Sequence, residues 1–508
     1  MYECPNCGGN LKYDIKSEKM KCFYCDSMFD PYEVKDKRKV EEHTENLMTD
    51  DEDGMMQVTV YTCPQCGGEI IGDENEAATF CSYCGASTMM EQRMDRAMRP
   101  VRIVPFKKTK DDCARAYKSL VLKAIFAPDY VKDPQKIESF RGIYMPYWVY
   151  DFSKKGVINY PAKHTYQRGD YEYTDHYRVT TNADIEYKGL NYDASSTFSD
   201  TLSNAIAPFD ADGSKDFTTA FMSGFYADVM DVDDSVYSDD AEDAAAKHAA
   251  ERIAGEQRSL KYTISKDSVA SSLNLSTDKS ELNMMPVWFM SYRARDVKGE
   301  DRVLYSVVNG QTGKAAADLP VDVTKYVLGS AILALPIFAL FNLFLVMTPL
   351  AVLVLATLIM AVCGFIMLLE ANSVADWETG KEDQGLNFTK NKERLKKAEA
   401  KPKKKKKDNA PVKTEAEIKH EEIRQAAMKE SQKGNRLLFW ISLVVAFLLC
   451  IIRPINDAYF YIGVILTGIT DCLMLIGIMK NYNRLTMRPL PQFKRKGGDD
   501  RADISKDI

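Results

Sequence analysis

The stretch CPNCGGNLKYDIKSEKMKCFYC (4–25) and its near copy CPQCGGEIIGDENEAATFCSYC (63–84) constrain this chain more than any other part of it. Each holds two Cys-x-x-Cys pairs separated by fourteen residues. Two sulfurs on one tight turn reach a single ion, and two such turns complete a tetrahedron of thiolates. The spacing therefore marks Cys4, Cys7, Cys22 and Cys25, and likewise Cys63, Cys66, Cys81 and Cys84, as two Zn(Cys)4 sites. Gly8 and Gly67, directly after the second cysteine of each first pair, supply the backbone freedom that such a turn needs. Four cysteines leave no coordination position open for water, so the expected role of the zinc is structural. Iron in a four-thiolate site is the rival that spacing alone leaves open.

Eight of the twelve cysteines fall in these clamps, and Cys113, Cys363, Cys450 and Cys472 are scattered. The opening MYECPNC has neither the basic stretch nor the apolar stretch of a secretory signal. The expectation is a front half in the reducing cytoplasm, with thiolates holding metal. Between the cysteine pairs lie short strand-like pieces, NLKYDI and KMKCFY in the first clamp, EIIGDE and ATFCSY in the second. These are zinc ribbons, whose cores are too small to fold without the ion.

The 508 residues divide by charge. Residues 1–325 carry 40 Lys and Arg against 54 Asp and Glu, net −14, and residues 326–508 carry 27 against 19, net +8. A broad nucleic-acid footprint needs a basic stripe, which an acidic front half does not offer. The basic half contains four apolar stretches, 326–347, 349–369, 437–452 and 459–479. About 20 residues cross a hydrocarbon core of about 30 Å, so the expectation is four transmembrane helices paired as two hairpins. The lysine run from Lys403 to Lys407 and the FKRKGG of the tail put the 370–436 loop and both termini on the cytoplasmic side of the cell membrane. That lysine run also offers anionic lipid a docking point. Asp471 is costly near the middle of the fourth stretch. Its expected partners are Asn342, Thr467 and Thr470.

The middle, 100–323, reads as α+β and strand-rich. Helices are expected over 111–128 and 239–258. YEYTDHYRV (171–179) alternates as a strand with Tyr171, Tyr173, Tyr177 and Val179 on one face, expected to be core. MPYWVY (145–150) and MPVWFM (285–290) repeat Met-Pro-x-Trp and hint at a duplicated β unit. VLYSVVNGQTGKAAADLPV (303–321) reads as a hairpin turning at Asn309 and Gly310. Its TGK is no phosphate loop, because Val308 stands where the first glycine belongs and Ala315 where the magnesium-binding hydroxyl would be. FDADGSKDF (209–217) is a polar turn whose glycine is misplaced for a calcium loop. No pattern of paired carboxylates, nucleophile and base, or histidine ligands appears, so no enzyme is expected.

The predicted layout is a zinc ribbon at 1–40, a charged linker at 41–58, a second ribbon at 59–95 and the α+β domain at 100–323. A transmembrane hairpin at 326–369, a basic loop with a helix at 370–436, a second hairpin at 437–479 and a polar tail at 480–508 follow. Tandem CPxCGG ribbons, the Pro-x-Trp strands, the VNGQTGK hairpin and C-terminal spans together resemble bacterial membrane proteins described as TFIIB-type zinc-ribbon-containing proteins. The resemblance implies neighbours of the phage-shock-protein-A-like and SPFH (flotillin-like) kinds. It also implies a cytoplasmic adaptor that fixes such a partner at the bilayer in a membrane-stress or membrane-organising complex. The other readings are a membrane-tethered nucleic-acid binder using Lys12, Lys16, Lys19 and Lys21, and a small transporter or channel centred on Asp471.

Overall fold

The computed structural model describes residues 2–34, 54–72, 80–88, 90–133, 137–256, 263–295, 299, 301–344, 347–378 and 435–491. The first clamp closes a small antiparallel sheet of β1 (Leu11–Asp14), β2 (Lys19–Cys22) and β3 (Met28–Phe29). Alternation sends Leu11, Tyr13, Met20 and Cys22 inward, and leaves Lys12 and Lys21, directly opposite each other, on the outer face. The inner face packs on Ala220 and Phe221 of the main body. Ser223 fastens it there: its hydroxyl donates to the Leu11 carbonyl at 2.7 Å, and its own carbonyl accepts from the Tyr13 N–H at 3.0 Å.

Among the described residues all other strands join one 13-stranded mixed sheet. In chain order these are β4 (Met55–Thr62), β5 (Glu69–Ile71), β6 (Glu91–Met98), β7 (Arg102–Ile103), β8 (Arg141–Arg168) and β9 (Tyr171–Asp193). They continue with β10 (Lys215–Asp216), β11 (Tyr226–Asp228), β12 (Thr263–Ile264), β13 (Ser276–Arg295), β14 (Asp301–Asn309), β15 (Ala315–Ala317) and β16 (Arg488–Pro489). Strand β4 begins inside the stretch read from sequence as linker, because MMQVTVYT alternates well enough to pair along its whole length with β6. The ATFCSY piece of the second clamp is different: Phe80 to Tyr83 form bends and turns, and residues 78 and 79 lie outside the described residues.

The two Met-Pro-x-Trp repeats meet at the centre of the sheet. Strands β8 and β13 run antiparallel with Met145 opposite Met285, so each motif faces the other across an approximate two-fold axis. Each indole donates to a loop carbonyl, Trp148 to Val232 at 2.8 Å and Trp288 to Lys108 at 2.9 Å. Burying the two methionines completely stabilises the sheet by roughly 1.5–3 kcal/mol each relative to exposure. The geometry agrees with the duplicated β unit read from sequence.

Among the described residues four α-helices flank the sheet: α1 (Lys110–Lys123), α2 (Asp200–Ile206), α3 (Ser238–Glu256) and α4 (Lys266–Leu273). Helix α1 starts at a capping box in which Thr109 and Asp112 satisfy each other's backbone N–H groups. The hairpin of β14 and β15 turns where the sequence places it, with the Asn309 side chain accepting from the N–H groups of Gln311 and Thr312 at 2.9 Å. One expectation fails. Tyr171, Tyr173 and Tyr177 do line one strand face but are 72, 46 and 40 % exposed. Val179, the fourth residue of that face, packs half-buried opposite Tyr160, but from Tyr177 toward the tip at Tyr171 the hairpin of β8 and β9 runs past the layer that covers the sheet, so alternation alone overstated its burial.

The C-terminal helices are α5 (Val323–Phe344), α6 (Pro349–Glu378), α7 (Asn435–Ile452) and α8 (Ala458–Thr486). Among the described residues three are long and apolar enough to cross a membrane, at Val323–Leu340, Pro349–Ala375 and Ala458–Thr486, and the apolar part of α7, Leu437–Ile452, is shorter. Lys403 to Lys407 and the tail beyond 491 lie outside the described residues.

Two of the contacts that join the helices to the sheet domain involve α8 and the segment after it. The Asn483 side chain on α8 donates to the Val321 carbonyl at 2.8 Å and accepts from the Val321 N–H at 2.7 Å. Directly after α8, β16 adds to β14, and Arg488 enters the domain. Its guanidinium donates to Asp318 at 3.2 Å and to the Ser199 hydroxyl at 2.7 Å, and it lies 5.2 Å from the Tyr305 ring centre. Both charged side chains are nearly enclosed, at 7 and 11 % exposure. Burial pushes Asp318 up, and Arg488 pulls it back down. Removing Arg488 alone leaves an uncompensated buried carboxylate, at a cost of roughly 3–5 kcal/mol. Arg488→Met should therefore lower the thermal midpoint of the detergent-solubilised protein, and Arg488→Met with Asp318→Asn should recover much of the loss. Equal midpoints for the single variant and the parent would reject the lock.

Candidate metal centres

Four knuckles share one backbone pattern. The first cysteine donates its N–H to the carbonyl five residues on, and the residue four positions on donates back to the cysteine carbonyl, at 2.7–3.0 Å throughout. That fourth position is left-handed each time: Gly8 (φ 71°), Asp26 (φ 56°), Gly67 (φ 74°) and Gly85 (φ 67°). Glycine takes this conformation without strain, and an aspartate is among the few others that tolerate it. The sequence reading picked out Gly8 and Gly67. Gly85 and Asp26 carried the same signal, at the same offset from their cysteines.

The knuckles converge in pairs. Cys4 and Cys25 sulfurs are 3.6 Å apart and Cys7 and Cys22 sulfurs 3.5 Å; in the second centre Cys63 and Cys84 are 3.8 Å apart and Cys66 and Cys81 3.6 Å. All four sulfurs of each centre lie within 4.8 Å of one another. Ligands 2.3 Å from a tetrahedral zinc would be about 3.8 Å apart. Both sets thus fit a four-thiolate ion of that size, and all eight predicted ligands are brought together as predicted. Bound metal would hold every sulfur as thiolate. At the first centre the Ser27 hydroxyl, 3.2 Å from Cys25, holds that thiol down to about 6.

Surroundings separate the two centres. In the first, Cys7 and Cys25 are exposed, and the knuckle between Cys22 and Cys25 presents Phe23 and Tyr24 at 63 and 81 % exposure. In the second, all four cysteines are buried and Tyr83, the counterpart of Tyr24, is completely enclosed. Tyr83 packs edge-on to Phe289 of β13 at 6.1 Å. Arg293, also on β13, donates to the Cys84 carbonyl at 2.8 Å and to the Gln65 side chain, with its guanidinium 3.7 Å from the Cys84 sulfur. A doubly charged metal with four thiolates carries two negative charges, and Arg293 sets one positive charge beside them. Sequence reasoning missed Arg293, which lies 209 residues from Cys84 and in no motif.

Below this centre sits a buried polar knot. Asp228, on the strand that pairs with β5, accepts from the hydroxyls of Ser195 and Thr197, the latter at 2.7 Å, and lies beside the Tyr83 hydroxyl. Burial pushes Asp228 up to about 6, against the downward pull of these donors.

The remaining candidates divide. Lys12 and Lys21 share the outer face of the first ribbon, where Lys21 pairs with Asp26 at 3.1 Å and lies 5.7 Å from the Phe23 ring centre. Lys16 and Lys19 are exposed at its far end. Asp471 lies on α8, but the expected threonines turn elsewhere. Thr467 donates to the carbonyls of Gly463 and Val464, and Thr470 donates to Leu466 and meets Ser442 at 2.6 Å. Among the described residues Asp471 Oδ1 has no hydrogen-bond partner. Asn342 falls on α5, and its side chain lies outside what is described.

No family model matches the chain, and no solved structure matches it. Among curated proteins it is similar to the uncharacterized protein YdjG of Bacillus subtilis (strain 168), at 25 % identity over 325 residues, covering 63 % of this chain and 90 % of that protein.

Two expected outcomes follow from the contrast between the centres. Cys66→Ser with Cys81→Ser should lose one metal and unfold the sheet domain, removing most of a stability of about 5–15 kcal/mol. Cys7→Ser with Cys25→Ser should also lose one metal but leave the sheet protected. Elemental analysis with limited proteolysis checks both, and equal protease sensitivity in the two variants would contradict the difference. The second concerns pH. Asp228 titrates at about 6 in the folded protein and near 3.9 when unfolded, so its contribution is present below about pH 4 and fades as pH rises through about 6. The stability of the parent relative to Asp228→Asn should therefore fall by up to roughly 3 kcal/mol between about pH 4 and about pH 7. Thermal melts across that range measure it, and a flat difference would rule the effect out.

Proposed function

We propose that the protein is a non-enzymatic, membrane-anchored zinc-ribbon adaptor, of the TFIIB-type kind that its sequence resembles, and that it holds a cytoplasmic protein at the bilayer. The observation that carries this reading is the contrast between two near-identical knuckles. One, around Tyr83, is consumed in building the domain; the other, with Phe23 and Tyr24, stands exposed on the small sheet that the first four-cysteine cluster closes. Tight metal-held turns present aromatic side chains with little freedom to lose on binding, which favours recognition. The Arg488–Asp318 pair and Asn483 tie the same domain to the apolar helices, so a partner held by the first ribbon would be held at a set distance from the membrane.

Zinc at both centres would serve folding and rigidity, with no open position for substrate. The resemblance points to SPFH or phage-shock-protein-A-like proteins as partners. A nucleic-acid partner is the other reading, supported by Lys12, Lys21 and Phe23 sharing one face. The acidic balance of residues 1–325 weighs against it.

Phe23→Ala with Tyr24→Ala should keep both metals and the fold, yet recover at most about a tenth of the partner from native membranes in mild detergent. Unchanged recovery of every co-purifying protein would sink the adaptor reading. Co-purifying nucleic acid released by salt would favour the alternative.

A further inference from the structure

Among the described residues before α5, the two most exposed aliphatic side chains are Leu122 and Ile125, at 75 and 74 %. They stand at the C-terminal end of α1 and in the turn after it, and that turn is fastened to the first apolar helix. The Phe126 carbonyl accepts from the Asp322 N–H at 2.8 Å. The Phe126 ring meets the Tyr326 ring edge-on at 5.1 Å and lies against Gly329, where a Cβ would sit 2.8 Å from a ring carbon. Asp129 pairs with Lys325 at 2.5 Å. The contact reaches seven residues into the helix that starts at Val323, about 10 Å along its axis.

The exposed side of α1 changes character toward this end. Arg115 and Lys118 come first, then Ser119, and Leu122 last, a progression of about 10 Å from charge to apolar surface. Lys123 and Lys132, both exposed, flank the apolar tip. Tyr326 stands in the first turn of α5, and Tyr482 near the end of α8, where its hydroxyl reaches the Leu319 carbonyl just before α5 at 3.4 Å. Tyrosines gather where a bilayer meets water. Long lysine stems let an apolar tip sink while their charges stay at the head groups.

We propose that the C-terminal end of α1 and the turn after it form an interfacial anchor, with Leu122 and Ile125 inserted at the boundary between head groups and acyl chains of the bilayer that α5 spans. The occupant of this surface is lipid. A domain attached through helix ends alone could tilt on them; a third point of contact, on a rigid helix beside the sheet, fixes its orientation to the membrane. Lys118, Lys123 and Lys132 would make the contact stronger on anionic lipid. This anchor does not depend on what the first ribbon binds.

The test uses the full-length protein reconstituted in vesicles of phosphatidylethanolamine and phosphatidylglycerol that carry a clickable tag. Photoreactive benzoylphenylalanine replaces Leu122, Ile125, Leu335 or Tyr24, one at a time. Leu335, 68 % exposed on α5, reports the bilayer interior, and Tyr24 reports a comparably exposed soluble position. Lipid adducts at 122 and 125 should approach those at 335 and exceed those at 24 by about tenfold. Adducts at 335 without adducts at 122 and 125 would overturn the anchor, as would lipid labelling at 24 equal to that at 125. Cross-links from 125 to protein in place of lipid would hand the surface to a second copy. Failure to label lipid at 335 would remove both the span and the anchor that rests on it.

Discussion

The structure depends on the enclosure of the second four-cysteine centre in the wall of the 13-stranded sheet. A small four-cysteine module alone has too little core to fold, and the second one here compensates by giving β5 to a larger sheet, burying all four cysteines and setting its Cys81–Cys84 knuckle against β13. Burial of that kind is costly for a charged cluster unless it is met by donors and counter-charge. Arg293 answers the charge, and the Asp228, Ser195 and Thr197 knot answers the Tyr83 hydroxyl below it. Because these groups come from four distant stretches of chain, the metal centre and the sheet form as one unit.

From that unit the rest follows. Strands β8 and β13 cross the middle of the sheet with their Met-Pro-x-Trp motifs opposed, which brings the two ends of the domain to equivalent settings around Trp148 and Trp288. One end carries the first ribbon and its exposed knuckle. At another place the sheet accepts β16 from beyond the last apolar helix, and Arg488 closes the joint. A buried ion pair contributes little net stability compared with a well-packed apolar contact, but it tolerates only one register. Here that register sets how the helices leave the domain.

Three groups of exposed apolar and aromatic side chains stand apart from one another. Phe23 and Tyr24 face outward on the first ribbon, Leu122 and Ile125 stand beside the first apolar helix, and the tyrosines of the long β8–β9 hairpin extend away from the core. Singly exposed apolar residues are ordinary; these are grouped on rigid elements, which is what recognition needs. The first group supports the adaptor reading, and the second supports the proposed interfacial anchor.

By itself the sequence determined the local chemistry. Cysteine spacing selected the eight clustered cysteines, glycine placement selected the knuckle turns, and apolar runs selected three helices long enough to cross a membrane together with a shorter fourth where a full span was expected, because each of these depends on neighbours within a few residues or on a length. It even carried the central symmetry, through a repeated four-residue motif. Only the tertiary structure decided which knuckle is buried and which is displayed, since Cys22-Phe-Tyr-Cys25 and Cys81-Ser-Tyr-Cys84 are nearly the same locally and differ in what the distant β13 brings beside them. It likewise decided that the tyrosine stripe lies outside the core, and that Arg293 and Arg488 serve as counter-charges. The guanidinium contacts of Arg293 and Arg488 join residues 170 to 289 positions apart, where no periodicity in the chain can record them.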